Sequence, residues 1–178
     1  MVILGIDPGT ATTGWGIIHK IKPGRGVTNG RTLKLVDFGC ILTDSNMAMG
    51  DRLVILWKSL KKVIETHKPD SIVIEKLFFG ANSTSAITVG QARGVVLLVA
   101  AEKKLNIFEY TGLQVKLTVA EHGRADKKAI QRAVRKYLKT SNLPQPRDQQ
   151  GKPVFRFRDD AYDAVAASIC HLIKTRNI

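Results

Sequence analysis

Two carboxylates in this sequence each close a short apolar run of the kind that forms a buried strand. Asp7 follows residues 2–6 and precedes a Pro-Gly turn, and Glu75 follows residues 71–74. In open α/β sheets the carboxyl ends of the strands form the edge where sites are built, so we expect both side chains at one edge. A half-buried carboxylate requires a cation, a hydrogen-bond donor or a raised pKa. For Asp7 the alternative is that its oxygens only accept hydrogen bonds from the amides of the following turn.

Two further acids stand at the beginning of the last predicted helix, residues 159–172. Asp160 and Asp163 are three residues apart, so they project from the same side of the first helical turn. Acidic side chains at this position are also favoured by the helix dipole, and ordinary stabilisation of the helix start is the alternative interpretation.

The overall charge of the chain favours a polyanionic partner. The 178 residues contain 28 Lys and Arg against 15 Asp and Glu, a net charge of +13, while the hydrophobic content of 44% is normal for a folded protein. Phosphate contacts supply affinity for nucleic acid through counterion release, which makes DNA or RNA the expected partner. A basic surface that serves only solubility is the alternative. The length predicts a single domain over residues 1–178.

Cysteine usage and hydropathy narrow the protein class further. Cys40 and Cys170 are far apart and lack the spacing of a metal site, which argues against a disulfide framework or a zinc site and favours the reducing cytoplasm. No apolar run reaches the roughly 18 to 20 residues of a membrane span, so we expect no membrane association.

The four acids, in a chain whose net positive charge favours a nucleic-acid partner, predict a metal-dependent nuclease site. Four converging carboxylates would repel one another unless divalent cations offset their charge. Oxygen ligands without a cysteine cluster favour Mg²⁺ or Mn²⁺ over Zn²⁺. Two such ions, roughly 3.5 to 4 Å apart, would activate a water and stabilise the leaving oxygen in phosphodiester hydrolysis.

The periodicity of the chain predicts an α/β fold with a mixed central sheet of about five strands, an antiparallel meander followed by parallel strands. Besides the opening strand, the predicted strands are residues 15–20, 33–42, 71–75 and 106–110. The predicted helices are residues 52–67, 86–104, 126–140 and 159–172, with a short helix between the last strand and residue 122. Thr111 and Gln114 have the spacing of a capping box that would start this short helix, which carries Lys116.

Basic and aromatic segments are the candidate DNA contacts. The predicted helix 126–140 carries Lys127, Lys128 and further cations of one sign, which favours phosphate contact over a merely solvated face. Phe78 and Phe79 begin a loop and could wedge between or stack on bases, or pack down on the core as a lid. Residues 144–158 form an irregular basic connection, with a small hairpin expected about Gly151.

Six short motifs run through nearly the whole chain in order. They are Gly5-Ile6-Asp7-Pro8-Gly9 with Thr13-Gly14-Trp15-Gly16; Pro69-Asp70 leading to Ile74-Glu75-Lys76-Leu77-Phe78; Gly90-Gln91-Ala92-Arg93-Gly94; Phe108-Glu109-Tyr110; Gln114-Val115-Lys116; and Asp160-Ala161-Tyr162-Asp163-Ala164. Together they resemble the motifs of the RuvC family of Holliday-junction resolvases, within the ribonuclease H-like nuclease superfamily.

This resemblance implies a homodimeric, Mg²⁺-dependent endonuclease that cuts two opposed strands of a four-way DNA junction and works with the RuvA-RuvB branch-migration complex. It implies two Mg²⁺ ions per active site, with Mn²⁺ as a substitute. The residues that it assigns are Asp7, Glu75, Asp160 and Asp163 as metal-binding catalytic acids, Lys116 and Lys127 near the scissile phosphate, Phe78 at the junction, and Arg93 in a motif used around dimerisation and counted here among the DNA contacts.

Two departures from the family pattern remain. Residues 21–31 and 144–158 form longer connections than the family usually has. Asp159 stands beside Asp160, and we assign Asp160 as the third acid because its three-residue offset from Asp163 reproduces the family motif.

Two rival functions are compatible with parts of the same sequence pattern. The turn from Asp7 to Thr10 also resembles the phosphate-binding turn of sugar kinases and actin-like ATPases, but those proteins duplicate the fold and this chain carries one copy. The other rival is a DNA-structure-binding protein without catalysis, against which the complete set of acids argues.

Overall fold

The computed structural model describes residues 1–21, 33–76, 83–156 and 158–175, without the side chains of residues 83–85. Phe78 and Phe79 lie outside the described residues, as does nearly all of the predicted loop 21–31. Their predicted roles therefore stay predictions.

A five-stranded sheet forms the centre of the protein, with strand order β3-β2-β1-β4-β5. Its strands are β1 (Val2–Asp7), β2 (Thr12–Lys20), β3 (Leu33–Leu42), β4 (Ser71–Lys76) and β5 (Asn106–Thr111). The pairs β1–β2 and β2–β3 are antiparallel, whereas β4 runs parallel to both β1 and β5. This is the predicted mixed sheet, and the carboxyl ends of β1 and β4 lie side by side in it because Ile6 is in register with Ile74.

In the described ranges, five helices cover the sheet: α1 (Met49–His67), α2 (Ser83–Glu102), α3 (Gly112–Ala120), α4 (Lys127–Tyr137) and α5 (Arg158–Lys174). The predicted helices are all present, but two end early. The helix predicted to reach residue 104 ends at Glu102, and the one predicted to reach residue 140 ends at Tyr137. Lys104 and Lys139 adopt the left-handed conformation, with φ of 54° and 49°, which stops a right-handed helix. Within the described part of the chain, no helix is both long and apolar enough to cross a bilayer.

The helices form one layer on each face of the sheet. Leu4 and Ile6 point to the face covered by α1 and α2, where they join one buried cluster. Ile3 points to the opposite face, where α3, α4 and α5 pack around a second cluster. Since side chains alternate along a strand, Asp7 points to the same face as Ile3, towards α5.

Helix α5 packs so closely on the sheet that only glycine fits at several strand positions. A Cβ atom at Gly5 would collide with the backbone of Ala164, and one at Gly14 would collide with the backbone of Asp160. Gly14 lies opposite Asp7 in the β1–β2 register. The first turn of α5 is therefore pressed against the sheet beside the carboxyl end of β1.

The predicted capping box starts α3. The Thr111 hydroxyl accepts a hydrogen bond from the Gln114 amide at 3.2 Å, and the Gln114 side chain accepts one from the Thr111 amide at 2.9 Å. This fixes α3 directly after β5. A Cβ on Gly112, the first residue of α3, would lie 2.5 Å from Glu75 Oε1, so the helix begins beside the end of β4.

Candidate active site

Asp7, Glu75, Asp160 and Asp163 all lie on the α5 side of the sheet, around the carboxyl ends of β1 and β4. Asp7 is the last residue of β1. Glu75 alternates with Ile74, which belongs to the cluster on the other face, so its side chain points towards α5. Asp160 and Asp163 are in the first turns of α5. The fold thus places acids from three widely separated segments of the sequence on one face of the sheet.

The pKa values of these acids show how closely they interact. Burial raises the pKa of Asp7 well above its usual value, and the charges of Glu75, Asp163 and Asp160 raise it further. Burial also raises the pKa of Glu75 from 4.5 to about 7, with the charge of Asp163 adding to the effect. Asp7 is therefore harder to ionise because of the other three acids, and Glu75 is harder to ionise because of Asp163.

Burial also raises the pKa of both acids of α5, but only Asp163 is raised further by another of the four acids. Burial raises the pKa of Asp163 from 3.8 to about 6, and the charge of Asp160 contributes. Burial also raises the pKa of Asp160, an effect that the positive charge of Lys127 partly offsets. The cluster consists of buried anions whose repulsion is only partly compensated within the described protein.

This donor set fits hard divalent cations. All four groups are carboxylates, the ligand type that Mg²⁺ and Mn²⁺ prefer, and a cation would offset both burial and repulsion. Among the described residues, no three Asp, Glu, His or Cys side chains are gathered tightly enough to hold an ion as they stand. Carboxylates whose repulsion is not offset are expected to stay apart in this way. Shared ligation of an ion remains a prediction.

Two predicted basic residues face the cluster. The charge of Lys116, on α3, lowers the pKa of both Glu75 and Asp163. Lys127, the first residue of α4, lowers the pKa of Asp7 and of Asp163. Helices α3 and α4 thus each place a cation near the acids.

The other predicted contacts lie elsewhere. Lys128 is exposed on α4 beside Lys127. Arg93, on α2, donates a hydrogen bond from Nε to Glu109 Oε1 at 3.2 Å and forms an ion pair with the same oxygen. Glu109 alternates with Phe108 and Tyr110, which contact His171 of α5, so the Arg93 pair lies on the opposite face of the sheet from the acids.

The contacts of Asp159, the neighbour of the third acid, are not evident from the sequence. Its Oδ1 accepts a hydrogen bond from Gln131 Nε2 at 2.7 Å, and its Oδ2 is 3.3 Å from Lys127 Nζ. The sequence carries one sign of these contacts: Lys127 and Gln131 are four residues apart, which places both on one side of α4.

The basic connection before α5 is attached to the edge of the sheet. The Gln149 side chain hydrogen-bonds the backbone of Leu42 twice, at 2.9 and 2.7 Å. The hairpin expected about Gly151 is present, since Asp148 and Lys152 are joined by a backbone bond of 2.8 Å and Gly151 has a left-handed φ of 84°. The connection is thus attached to the edge strand β3 before the chain enters α5.

Comparisons with known proteins agree with the motifs. The model of the family "Crossover junction endodeoxyribonuclease RuvC" matches residues 3–171. The crossover junction endodeoxyribonuclease RuvC of Caldicellulosiruptor saccharolyticus is 40% identical over 100% of this chain and 96% of its own. That of Desulfitobacterium hafniense strain DCB-2 is 44% identical over 96% of this chain and 92% of its own.

Solved structures give the same result. Thermus thermophilus RuvC is 26% identical, with a TM-score of 0.80 over 99% of this chain and 96% of that chain. The same protein in complex with a Holliday junction substrate has a TM-score of 0.81 over the same shares of both chains. The yeast mitochondrial Holliday junction resolvase Ydc2, 12% identical with a TM-score of 0.61 over 98% of this chain and 81% of that chain, shares the fold.

Proposed function

Because the chain belongs to the RuvC family of crossover junction endodeoxyribonucleases, we propose that it resolves four-way (Holliday) DNA junctions by cutting phosphodiester bonds during recombination and repair. The observation that carries this proposal is the position of four coupled carboxylates at one edge of the sheet, with two lysines directed at them. Residues 1–178 act as a single ribonuclease H-like nuclease domain.

Asp7, Glu75, Asp160 and Asp163 would hold the metal of this metal-dependent family, and we propose two Mg²⁺ ions, for which Mn²⁺ substitutes. Such ions, when bound, supply an activated water and stabilise the leaving oxygen. The protein contributes the remaining steps with its own residues. The buried acids concentrate negative charge around the carboxyl ends of β1 and β4, which favours the binding of a cation there.

Lys116 and Lys127 bind the scissile phosphate or its neighbourhood, since their ammonium groups already face the acids from α3 and α4. Lys128 continues this surface along α4, which favours contact with the phosphates of a flanking strand. Phe78 comes three residues after Glu75 in the sequence. This short distance from a proposed metal ligand supports an aromatic contact with the bases at the junction.

The junction has two strands to cut, which supports a homodimer with one active site for each. Arg93 supports such an assembly because its ion pair with Glu109 fixes α2 to β5 on the face away from the acids. For Arg93 to contact DNA directly, the second subunit would have to bring DNA to that face. We further propose cooperation with a RuvA-RuvB branch-migration complex. We also propose a cytoplasmic location, which a chain with two widely separated cysteines favours.

A cleavage assay with junction and duplex substrates tests the proposal. The protein should cut labelled four-way junctions at symmetric positions, leave the matched duplex intact, and stop when a chelator removes divalent ions. An ATP-dependent activity without cutting would favour the kinase-like rival, and tight junction binding without any cutting would favour the non-catalytic one.

Asp7→Asn provides the variant for the same assay. It should abolish cutting but leave junction binding equal or stronger, because one negative charge is removed beside the phosphate. Normal cutting by Asp7→Asn would contradict the assignment of the metal site.

A further inference from the structure

Asp159 lies between helix α4 and the four acids, and both of its oxygens have protein partners. Gln131 Nε2 donates to Oδ1 at 2.7 Å, and Lys127 Nζ lies 3.3 Å from Oδ2. Lys127 and Gln131 are four residues apart on α4, so one carboxylate spans a single turn of that helix. The Asp159 carboxylate is thus directed at α4.

Lys127 needs such a partner to keep a defined position. It is the first residue of α4, where the helix dipole disfavours a cation, and its side chain is 67% exposed. A free lysine side chain loses up to about 2 kcal/mol of rotamer entropy when it is fixed in one conformation. Asp159 supplies an interaction that can offset this cost, and its own side chain is 28% exposed and bonded to Gln131.

The charges around Lys127 show where its ammonium group is held. A hydrogen bond from Lys127 to Asp159 raises the lysine's pKa, and the charges of Asp159, Asp160 and Asp163 raise it too. The Lys127 ammonium group is therefore paired with Asp159 and lies close enough to Asp160 and Asp163 to interact with their charges.

We propose that Asp159 is a positioning residue that holds the Lys127 ammonium group beside the four acids, where a phosphate would meet it, and that Asp159 is not itself a metal ligand. This inference rests on the proposed nuclease function. Its physical basis is that catalytic groups lose much of their effect when misplaced, by about a hundredfold for an error of 1 Å.

Asp159→Asn is the substitution that tests the inference. Asparagine has nearly the same shape and retains an oxygen that can accept from Gln131, but it loses the charge that attracts Lys127. The variant should fold, which its melting temperature checks, and its single-turnover cleavage of a four-way junction at saturating Mg²⁺ should be slower by about tenfold. The Mg²⁺ concentration for half-maximal cleavage should stay that of the wild type.

The same substitution is then made in a Lys127→Ala background. If Asp159 acts through Lys127, removing its charge there should change the rate by less than about twofold, since residues that act as a unit are non-additive. Glu65→Ala is the matched control, because Glu65 forms a comparable ion pair with Lys103 at 2.7 Å between α1 and the end of α2. It should cut junctions at the wild-type rate.

Three results would overturn the inference. They are wild-type cleavage by Asp159→Asn, an equal loss with and without Lys127, and a loss that higher Mg²⁺ restores, which would make Asp159 a metal ligand. Failure of the wild-type protein to cut junctions would instead contradict the proposed function.

Discussion

Replacing Glu75 with Gln should stabilise the metal-free protein at pH 8 but not at pH 5. The pKa of Glu75 is raised from 4.5 to about 7, chiefly by burial. The folded protein therefore holds a proton on Glu75 between these pH values, whereas the unfolded chain has released it. The free energy of unfolding of the wild type must fall as pH rises through this range.

The size of the effect follows from the same values. One pKa unit corresponds to about 1.4 kcal/mol, so a rise from 4.5 to about 7 costs the wild type up to about 3 kcal/mol at pH 8. Glutamine carries no charge and avoids this cost. The substitution also removes the Glu75 charge that raises the pKa of Asp7, and this further increases the free energy of unfolding at pH 8.

Urea unfolding followed by circular dichroism, in buffer with a chelator, measures the difference. Glu75→Gln should match the wild type near pH 5 and exceed it at pH 8, and the excess should shrink when Mg²⁺ is added because the wild type alone keeps the full ligand set. Glu65→Gln is the control, and its effect on the free energy of unfolding should have the opposite sign. Lys103 lowers the pKa of Glu65, so the charge of this residue stabilises the folded protein. A difference between Glu75→Gln and wild type that is equal at pH 5 and pH 8 would refute the reasoning.

Two further predictions concern the DNA surface and the packing of α5. If Lys116, Lys127 and Lys128 neutralise phosphates, each replacement by Ala should reduce the slope of log affinity against log salt concentration by about 0.9, and an unchanged slope in a binding titration would argue against that contact. Gly14→Ala should lower the free energy of unfolding by about 1 to 3 kcal/mol, because its Cβ collides with the Asp160 backbone, and should slow cleavage. Gly50→Ala, with open space at its Cβ, is the control, and equal melting temperatures for the two variants would contradict this account.

Local patterns predicted the elements of the fold well. The bounds of β3, Leu33–Leu42, follow from its sequence, and the capping box between Thr111 and Gln114 forms with both hydrogen bonds. These features depend on residues close together in the chain, so periodicity and capping rules reach them. Helix ends were less predictable, because the left-handed turns at Lys104 and Lys139 carry no glycine signal.

The sequence by itself determined that acids end two strands and begin the last helix, and the family motifs indicated which ones belong together. Only the tertiary structure decided what each acid faces. Successive residues of a helix point about 100° apart, so Asp159 and Asp160 take different directions once the glycines of β1 and β2 fix how α5 docks. This packing put Asp159 against α4, and the packing of α2 on the other face of the sheet put Arg93 against Glu109. Contacts of this kind depend on the assembled core and leave no local pattern in the chain.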